Sequence, residues 1–337
     1  MTRDPASPAR SDPDAATLDW LRREGWSADS VEPLVGDVSS RRYARVRAGA
    51  RSAVLATYPD DLLPACARFV DVQRLLRDRD VRVPEILAVD REGGRMLLED
   101  LGTETLFDRR RLGWDYLASR VELAAELAER IAEVPLETAA GLSPPLDLDL
   151  LTAELVHTWT VALAAAGPAE AGLPRELEGT LATMLERLAA APRSTCHRDF
   201  MARNLIPLDP VGDAPGPPAL AVLDFQDLRP GPHTYDLASL LNDSLYAPAS
   251  LEESLLTRHL DTDESRLDYH RGAAQRTLKI VGTFVGFAAR GFPRHLELVA
   301  PTLERARGHL LRLPEMVPAR SAVDRLCNAL LSAATAR

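Results

Sequence analysis

One short segment limits the folds open to this chain more than any other part of the sequence. His197, Arg198 and Asp199 are followed, after four intervening residues, by Asn204. An acid and an amide at this spacing have to project from one tight loop, where the acid can accept a proton and the amide oxygen can bind a metal ion. Four fixed positions arise by chance in a chain of this length with a probability of roughly 0.2–0.5%, so the segment needs support from its surroundings.

A second acidic position supports it. Twenty residues after Asn204, the apolar run ALAVL ends in Asp224, which is followed by Phe225 and Gln226. The two segments together match the catalytic loop H-R-D-x-x-x-x-N of kinases and the metal-binding carboxylate that follows it. We therefore predict phosphoryl transfer with Asp199 as the base and Asn204 and Asp224 as ligands of Mg²⁺. The alternative for Asp224 is a carboxylate that merely ends a strand.

Two further residues of these segments have predicted structural roles. His197 is expected to contact the backbone rather than to transfer protons. Asp236 lies twelve residues after Asp224, in GPHTYDLASLL. It either braces the catalytic loop or starts the apolar helix that follows it, and the sequence leaves both open.

The first hundred residues have the pattern of a small sheet. A polar, proline-rich tail (1–16), which is predicted to be disordered, precedes a helix that Thr17 can cap. Strands are predicted over 31–35, 42–48, 52–58, 84–90 and 94–100, with a hairpin turn at 36–40 and a helix over 61–79. The rest is mainly helical, with helices over 114–133, 147–166, 173–190, 233–245, 252–259 and 265–290 and one strand over 219–225.

This order predicts an α+β chain with a protein-kinase-like fold of two lobes. The N-lobe over 17–102 carries an antiparallel sheet and binds nucleotide. The helical C-lobe over 103–337 carries the catalytic loop and the substrate site, and a hinge lies at Glu99-Asp100-Leu101-Gly102.

Composition excludes several classes of partner. The net charge of -10 argues against a nucleic-acid binder, because phosphate neutralisation needs basic patches. No apolar run has the length of a membrane span or of a secretory signal, so no membrane partner and a cytoplasmic location are expected. The cysteines Cys66, Cys196 and Cys327 are widely spaced, which is typical of buried thiols in a reducing compartment.

The quoted segments resemble a known family. LVGDVSSRRYARV, LLEDLG, CHRDFMARNLI, AVLDFQDLRPGPHTYDLASLLND and AAQRTLKIVGTF together are similar to the bacterial anomeric sugar kinases of the aminoglycoside-phosphotransferase superfamily. The resemblance runs from about residue 20 to about residue 330. It implies ATP-dependent phosphorylation of the anomeric hydroxyl of N-acetylmuramate or N-acetylglucosamine, with ATP and Mg²⁺ as cofactors, a small sugar as partner and a monomeric protein.

The resemblance also assigns roles by position. Ser39, Ser40 and Arg41 are implied to form the loop over the ATP phosphates, and Glu99, Asp100 and Leu101 to present backbone groups to adenine. Arg203, Gln226 and Asp227 are implied to lie near the sugar.

The chain departs from the kinase pattern in the first lobe. The phosphate loop retains only Gly36, and the third strand has Ala56 and Thr57 where a lysine that orients the phosphates is expected. Our hypothesis is that Arg41 or Arg42 replaces that lysine, because a guanidinium binds phosphate with two parallel hydrogen bonds. Met201 stands where the resemblance leads us to expect a polar aromatic residue or histidine, so the chain also departs from the pattern at this position beside the base.

Lys279 is the single lysine among 40 basic residues. Lysines are mostly exposed, so it is either a solvated surface residue or a polar group that faces the sugar or the transferred phosphate. The sequence leaves both open.

Two other functions remain open. A kinase of aminoglycosides or of other small molecules needs carboxylates for a cationic substrate, and Asp227, Asp243, Glu252 and Glu253 are candidates. A nucleotide-binding pseudokinase is suggested by the missing lysine. A protein kinase is disfavoured, since eleven residues between Asp224 and Asp236 leave little room for an activation segment.

Overall fold

The computed structural model describes residues 14–34, 41–156, 158–164, 167, 172–208 and 217–335. The chain divides into two compact units. One unit comprises Met1–Thr103 and Ala221–Gln226, and the other comprises Glu104–Leu220 and Asp227–Arg337. Ala221–Gln226, which we had placed in the helical lobe, therefore groups with the sheet. No helix in the described part of the chain is long and apolar enough to cross a membrane.

The first unit is built on a five-stranded antiparallel sheet with the order β1-β2-β3-β5-β4. Its strands are β1 (Ser30–Leu34), β2 (Arg42–Ala48), β3 (Arg51–Thr57), β4 (Ile86–Asp90) and β5 (Arg95–Glu99). Between β3 and β4 the chain forms the helix α2 (Leu63–Arg77). All five predicted strands are present, and the predicted hairpin turn at 36–40 lies outside the described residues.

The helix α1 (Ala15–Arg23) covers one face of this sheet. Trp20, Leu21 and Trp26 pack there with the sheet residues Val46 and Leu55. The helix is capped by Asp14, whose Oδ1 accepts the backbone N–H of Thr17 at 2.7 Å. The prediction of Thr17 as the cap was wrong, because the carboxylate of Asp14 stands three residues ahead of that N–H and satisfies it.

The second unit is mainly helical. Its helices are α3 (Trp114–Ala132), α4 (Leu136–Leu142), α5 (Leu148–Ala153), α6 (Leu173–Ala190), α7 (Tyr235–Asn242), α8 (Ala249–His259), α9 (Asp263–Ala289), α10 (Val299–Leu310) and α11 (Arg320–Thr335). The short strands β6 (Arg193–Cys196) and β9 (Arg229–Pro232) pair antiparallel. Two more short strands are β7 (Leu205–Pro207), in the second unit, and β8 (Leu220–Val222), whose last two residues belong to the first unit.

The long helix α9 organises this unit, since it packs against α6, α7, α10 and the segment 158–163. The single helix predicted over 147–166 was wrong in extent. α5 ends at Ala153, and Thr158–Leu163 forms a π-helical turn. Thr158 packs so closely on Gly282 of α9 that a Cβ at Gly282 would lie 2.5 Å from the Thr158 nitrogen. Only glycine fits at position 282. The segment that follows α5 leaves the regular α-helical conformation where it packs against α9.

Candidate active site

The predicted catalytic loop lies in the second unit and begins where β6 ends. Arg198 adopts a left-handed conformation with φ 75°, which turns the chain sharply before Asp199. The buried carboxylate of Asp236, at the start of α7, accepts the backbone N–H groups of His197 at 2.6 Å and of Arg198 at 2.9 Å. Asp236 thus holds the strained turn, and His197 lies buried with its ring edge-on to Phe200.

Asp199 lies among three cations, and its two carboxylate oxygens have different surroundings. Oδ1 accepts Arg276 Nη1 at 2.5 Å and lies 3.6 Å from Lys279 Nζ. Oδ2 has no hydrogen-bond donor among the described residues, and the side chain remains 29% exposed. Burial acts to raise the pKa of Asp199, but the charges of Lys279, Arg276 and Arg198 outweigh it, so the pKa lies well below its usual range. Asp199 is therefore an ionised carboxylate with one anchored and one available oxygen.

A buried acid, Glu154, links the same cations behind Asp199. Its Oε1 accepts Arg198 Nη2 at 2.6 Å and Lys279 Nζ at 2.9 Å, and its Oε2 accepts Gln275 Nε2 at 3.1 Å. Burial acts to raise the pKa of Glu154, but Lys279 and Arg198 lower it by more. Lys279 is consequently not a solvated surface residue, and burial lowers its pKa against the opposing effect of Asp199.

Asn204 is oriented by the loop that it belongs to. Its Nδ2 donates to the backbone carbonyl of Asp199 at 2.9 Å. Only the amide nitrogen can donate to a carbonyl, so this bond fixes the amide and leaves Oδ1 without a donor in the described part of the chain. A hard oxygen that could bind a metal ion is thus presented beside Asp199, the predicted base.

The neighbouring Arg203 is held on two sides. Its Nε donates to Ser244 Oγ at 3.2 Å, and its guanidinium stacks 3.9 Å from the ring centroid of Phe107.

Asp227 is largely occupied by protein groups. Its Oδ2 accepts Arg198 Nη1 at 2.7 Å and lies 2.6 Å from Arg229 Nη2, and its Oδ1 accepts Ser143 Oγ at 3.3 Å. Burial acts to raise the pKa of Asp227, and the two arginines lower it by more. A role near the sugar would use what remains of Oδ1.

Asp224 belongs to the first unit and follows β8 in a left-handed conformation with φ 57°. Its Oδ1 accepts Arg41 Nη2 at 3.1 Å and Gln226 Nε2 at 2.8 Å, and the side chain is 43% exposed. Oδ2 has no donor among the described residues. Gln226 is buried, and its Oε1 has no partner there either. An unsatisfied buried acceptor beside an open carboxylate oxygen is chemically suited to a ligand with donors or positive charge.

The two arginines proposed to replace the missing lysine differ in position. Arg41 lies largely buried between Asp224 and the phenol groups of Tyr43 and Tyr58; burial acts to lower its pKa, but those neighbours raise it by more. Arg42 is exposed at the start of β2. Arg41 is therefore the better placed of the two, while Ser39 and Ser40 lie outside the described residues.

The predicted hinge residues use their side chains within the first unit. Arg45 donates to both oxygens of Asp100, at 2.7 and 3.0 Å, and Gly102 N–H donates to Asp100 Oδ1 at 3.1 Å. The Glu99 carboxylate accepts Arg82 and the backbone N–H of Glu85. These bonds fix the course of the chain and leave any contact with adenine to the backbone.

Mg²⁺ suits the donor set. It prefers oxygen ligands, is usually held by one or two protein groups and keeps several waters. Asn204 Oδ1 and Asp224 Oδ2 are such oxygens, and each is open within its own unit. A cluster of three or more His, Cys, Asp or Glu is absent from the described residues, which a site with so few protein ligands does not require.

The sequence interpretation missed Arg276 and Glu154 and named Asp243 only as a candidate acid for a cationic substrate. Arg276 donates to Asp199, and Asp243 accepts from Arg276. Glu154 links Arg198 and Lys279. Arg276 stood in the segment AAQRTLKIVGTF that carried the resemblance, which was a usable signal. Glu154 had none, because it lies 44 residues before Arg198 in a segment read as a plain helix.

Comparison with known proteins extends these observations. Residues 30–274 match the model of the phosphotransferase enzyme family. A relative from Pseudomonas aeruginosa, named N-acetylmuramate/N-acetylglucosamine kinase, is 32% identical over 320 residues, which are 87% of this chain and 88% of the relative. Three other relatives, at 28–32% identity, carry the same name. The resemblance predicted from the sequence is confirmed.

Solved structures confirm the fold. An aminoglycoside 2'-phosphotransferase in complex with GDP aligns with a TM-score of 0.57 at 16% identity, over 87% of this chain and 96% of that chain. A Streptomyces rimosus aminoglycoside phosphotransferase in complex with ADP and streptomycin aligns with a TM-score of 0.52 at 21% identity, over 77% and 97%. The predicted α+β, protein-kinase-like fold is therefore correct.

Proposed function

The chain belongs to the phosphotransferase enzyme family, and from this premise we propose that it is an ATP-dependent kinase of an amino sugar. The acceptor is N-acetylmuramate or N-acetylglucosamine, and the product is the sugar 1-phosphate. One observation carries the proposal beyond the names of the relatives. Asp199 has one oxygen anchored by Arg276 and the other open, as a base that orients a hydroxyl requires.

Asp199 acts on the attacking hydroxyl. Its free Oδ2 accepts a hydrogen bond from that hydroxyl and aligns the oxygen with the γ-phosphorus of ATP. The new O–P bond forms as the bond from the γ-phosphorus to the bridging oxygen breaks, ADP leaves, and the hydroxyl proton passes to Asp199. Little covalent work is asked of the protein, so alignment and charge supply most of the catalysis.

The surroundings of Asp199 favour an anomeric hydroxyl as the acceptor. Two cations on Oδ1 make this carboxylate a weak base. A weak base accepts a proton more readily from a more acidic hydroxyl. A hemiacetal hydroxyl is more acidic than an ordinary alcohol, because the ring oxygen withdraws electron density from its carbon.

Asn204 and Asp224 are the residues that would hold Mg²⁺, through the oxygens that they leave open. When bound, the ion neutralises charge on the β- and γ-phosphates. Arg41 is proposed to take over the phosphate-orienting role of the missing third-strand lysine, with Ser39, Ser40 and Arg42 in the same stretch. The backbone of Glu99, Asp100 and Leu101 is proposed to contact adenine.

The sugar is proposed to contact side chains around the catalytic loop. Lys279 has three N–H donors and spends one on Glu154, so it can also donate to the sugar or to the transferred phosphate. Arg203 is held with its guanidinium over Phe107 beside Asn204. Gln226 contributes its unsatisfied Oε1, and Asp227 the oxygen shared with Ser143.

Ion pairing argues against an aminoglycoside as the substrate. A polycationic substrate needs carboxylates that are not already neutralised by the protein. All four candidate acids pair with arginines within the second unit. The pairs are Asp227 with Arg198 and Arg229, Asp243 with Arg276, Glu252 with Arg305, and Glu253 with Arg266.

The geometry of Asp199 also argues against a pseudokinase. A protein that only binds nucleotide has no use for a carboxylate held by buried cations with one oxygen kept open.

The test is a transfer assay with a substrate panel. Purified protein is incubated with ATP, Mg²⁺ and hexoses, amino sugars and aminoglycosides, and products are identified by phosphorus NMR, with Asp199→Ala as the control. We expect an amino-sugar 1-phosphate that is absent from the control. A phosphorylated aminoglycoside would instead establish the alternative kinase. ATP binding without transfer to any acceptor would favour the pseudokinase.

A further inference from the structure

We infer that Asp243 and Arg276 are positioning residues that set the orientation of the Asp199 carboxylate. In the mechanism described above Arg276 serves only as an anchor and a charge on Asp199 Oδ1, and Asp243 has no role. The inference rests on the proposed function, since it concerns the base of that reaction. It is carried by a closed series of contacts that leaves the catalytic loop at Asp199 and returns to it at Arg203.

Arg276 makes the first link of the series from the middle of α9. Its side chain is 2% exposed, and its two terminal nitrogens serve different partners. Nη1 donates to Asp199 Oδ1 at 2.5 Å and to the carbonyl of Arg198 at 3.2 Å. Nη2 donates to Asp243 Oδ2 at 3.1 Å and lies 3.7 Å from the sulfur of Met201. Because the guanidinium is planar and rigid, fixing Nη2 on Asp243 also fixes the direction of Nη1 toward Asp199.

Asp243 and Ser244 close the series. Asp243 is 4% exposed, and its second oxygen, Oδ1, accepts Ser244 Oγ at 2.6 Å. Ser244 Oγ in turn accepts Arg203 Nε at 3.2 Å. Arg203 precedes Asn204, which donates back to the Asp199 carbonyl. Both ends of the catalytic loop are thus tied to the turn that follows α7.

This turn is held in an uncommon conformation. Ser244 has φ 70° and Tyr246 has φ 51°, a left-handed region that non-glycine residues rarely adopt. Such a conformation persists only when its surroundings over-determine it, and it is frequent at functional sites. The contacts of Asp243 and Ser244, with the bond from Tyr246 OH to the Leu298 carbonyl at 3.1 Å, are those surroundings.

A second buried arginine on α9 offers a matched control. Arg271 is 0% exposed and donates through Nε to Glu315, whose side chain is 3% exposed, at 2.8 Å. Arg271 also pairs with Asp268 and Glu264. These contacts tie α9 to the segment Pro314–Ala319 and include no residue of the catalytic loop. Glu315→Gln and Asp243→Asn therefore remove one buried charge each from the same helix's ion pairs.

The first experiment compares these two variants, using the amino sugar that the wild-type protein phosphorylates fastest. We expect Asp243→Asn to lower kcat about 100-fold, since a misplacement near 1 Å costs that much, while KM for both substrates stays within about threefold. Glu315→Gln should lower the melting temperature about as much as Asp243→Asn does. It should leave kcat within about twofold of wild type.

The second experiment exchanges Arg276. Arg276→Lys retains the positive charge without the two-pronged geometry, and Arg276→Ala opens a space that free guanidinium can fill. We expect the lysine variant to fold and to remain impaired in kcat, and added guanidinium to restore part of the kcat of the alanine variant. Arg271→Ala should show no gain of kcat with guanidinium.

Three outcomes contradict the inference. Asp243→Asn with the same kcat as Glu315→Gln would show that its ion pair only stabilises the fold. Full kcat in Arg276→Lys would show that charge without orientation suffices. Wild-type protein that phosphorylates no sugar would remove the inference together with the proposed function, and this result differs from the other two because it precedes any variant.

Discussion

The two carboxylates predicted to take part in phosphoryl transfer, Asp199 and Asp224, differ in their partners and in their exposure. Asp199, in the helical unit, lies among Arg198, Arg276 and Lys279. The buried carboxylate of Glu154 pairs with two of these cations, Arg198 and Lys279. Asp224, in the sheet unit, has one arginine and one amide on a single oxygen and is 43% exposed.

The difference follows from the two proposed tasks. A base has to point at its hydroxyl before the substrate arrives, so its orientation is fixed by buried partners that cannot reorganise cheaply. A metal ligand has to leave an oxygen open and exchange its partner when Mg²⁺ and nucleotide bind. Heavily paired groups therefore suit the first task, and lightly paired groups suit the second.

The largest effect is expected at the base itself. Asp199→Asn keeps the size of the side chain and removes its ability to accept a proton. Steady-state kinetics should show kcat lowered by about 10³-fold, within the range typical of general-base removal, with small changes in KM. A variant within tenfold of wild type would show that Asp199 is not the base.

Asp224→Asn tests the exposed carboxylate that is proposed to bind Mg²⁺. It retains one amide oxygen and loses the charge that favours a divalent cation, so the Mg²⁺ concentration for half-maximal activity should rise at least about tenfold. A titration of activity with Mg²⁺ at saturating ATP measures this shift. An unchanged midpoint would exclude Asp224 as a metal ligand.

Lys279→Met tests the contribution of Lys279 to Asp199 apart from that of Arg276. Arg276 still anchors the base and Arg198 still neutralises Glu154, so we expect kcat to fall about tenfold rather than to vanish. Thermal denaturation of the same variant controls for loss of a buried ion pair. Normal turnover would reduce Lys279 to a counter-ion of Glu154.

Arg41→Met and Arg42→Met compare two adjacent arginines. Loss of a charge-assisted bond to phosphate costs about 1.5–3 kcal/mol, so the Arg41 variant should raise KM for ATP about tenfold or more. The Arg42 variant, which changes an exposed residue, should stay within about twofold. Equal and small effects would refute the role assigned to Arg41.

Asp100→Asn has the smallest expected effect on turnover, because its carboxylate serves Arg45 and Gly102 rather than a substrate. Burial acts to raise the pKa of Asp100, but Arg45 and the other donors lower it by more. Its stabilising contribution is therefore complete above the unfolded-chain pKa of about 3.9 and is lost as the pH falls through the lower folded value.

Urea unfolding at several pH values measures this contribution. We expect Asp100→Asn to be less stable than wild type by about 3 kcal/mol near neutral pH, with the difference narrowing below pH 4 or so. A difference that stays constant down to pH 3 or so would mean that the ion pair does not depend on the ionised acid.

The sequence by itself determined the fold class, the five strands and most helices of the second unit, and it supplied the proposed base and metal ligands. Alternation of apolar residues marks strands and helices locally, and the spacing of Asp199 and Asn204 is set within one loop. Its errors were local too. The cap at Asp14 and the break after Ala153 depend on one hydrogen bond and on the close packing of Thr158 against Gly282.

Only the tertiary structure decided which residues surround Asp199, the proposed base. Glu154, Asp243 and Arg276 lie 45, 44 and 77 residues from Asp199 and have no periodic or spacing signal in common. Carboxylates and guanidinium groups occur throughout an ordinary protein surface, where water solvates them. When burial removes that water, each charged group needs a protein partner, and the sequence does not show which partner it is. Lys279, open between two readings in the sequence, was assigned to the site for this physical reason.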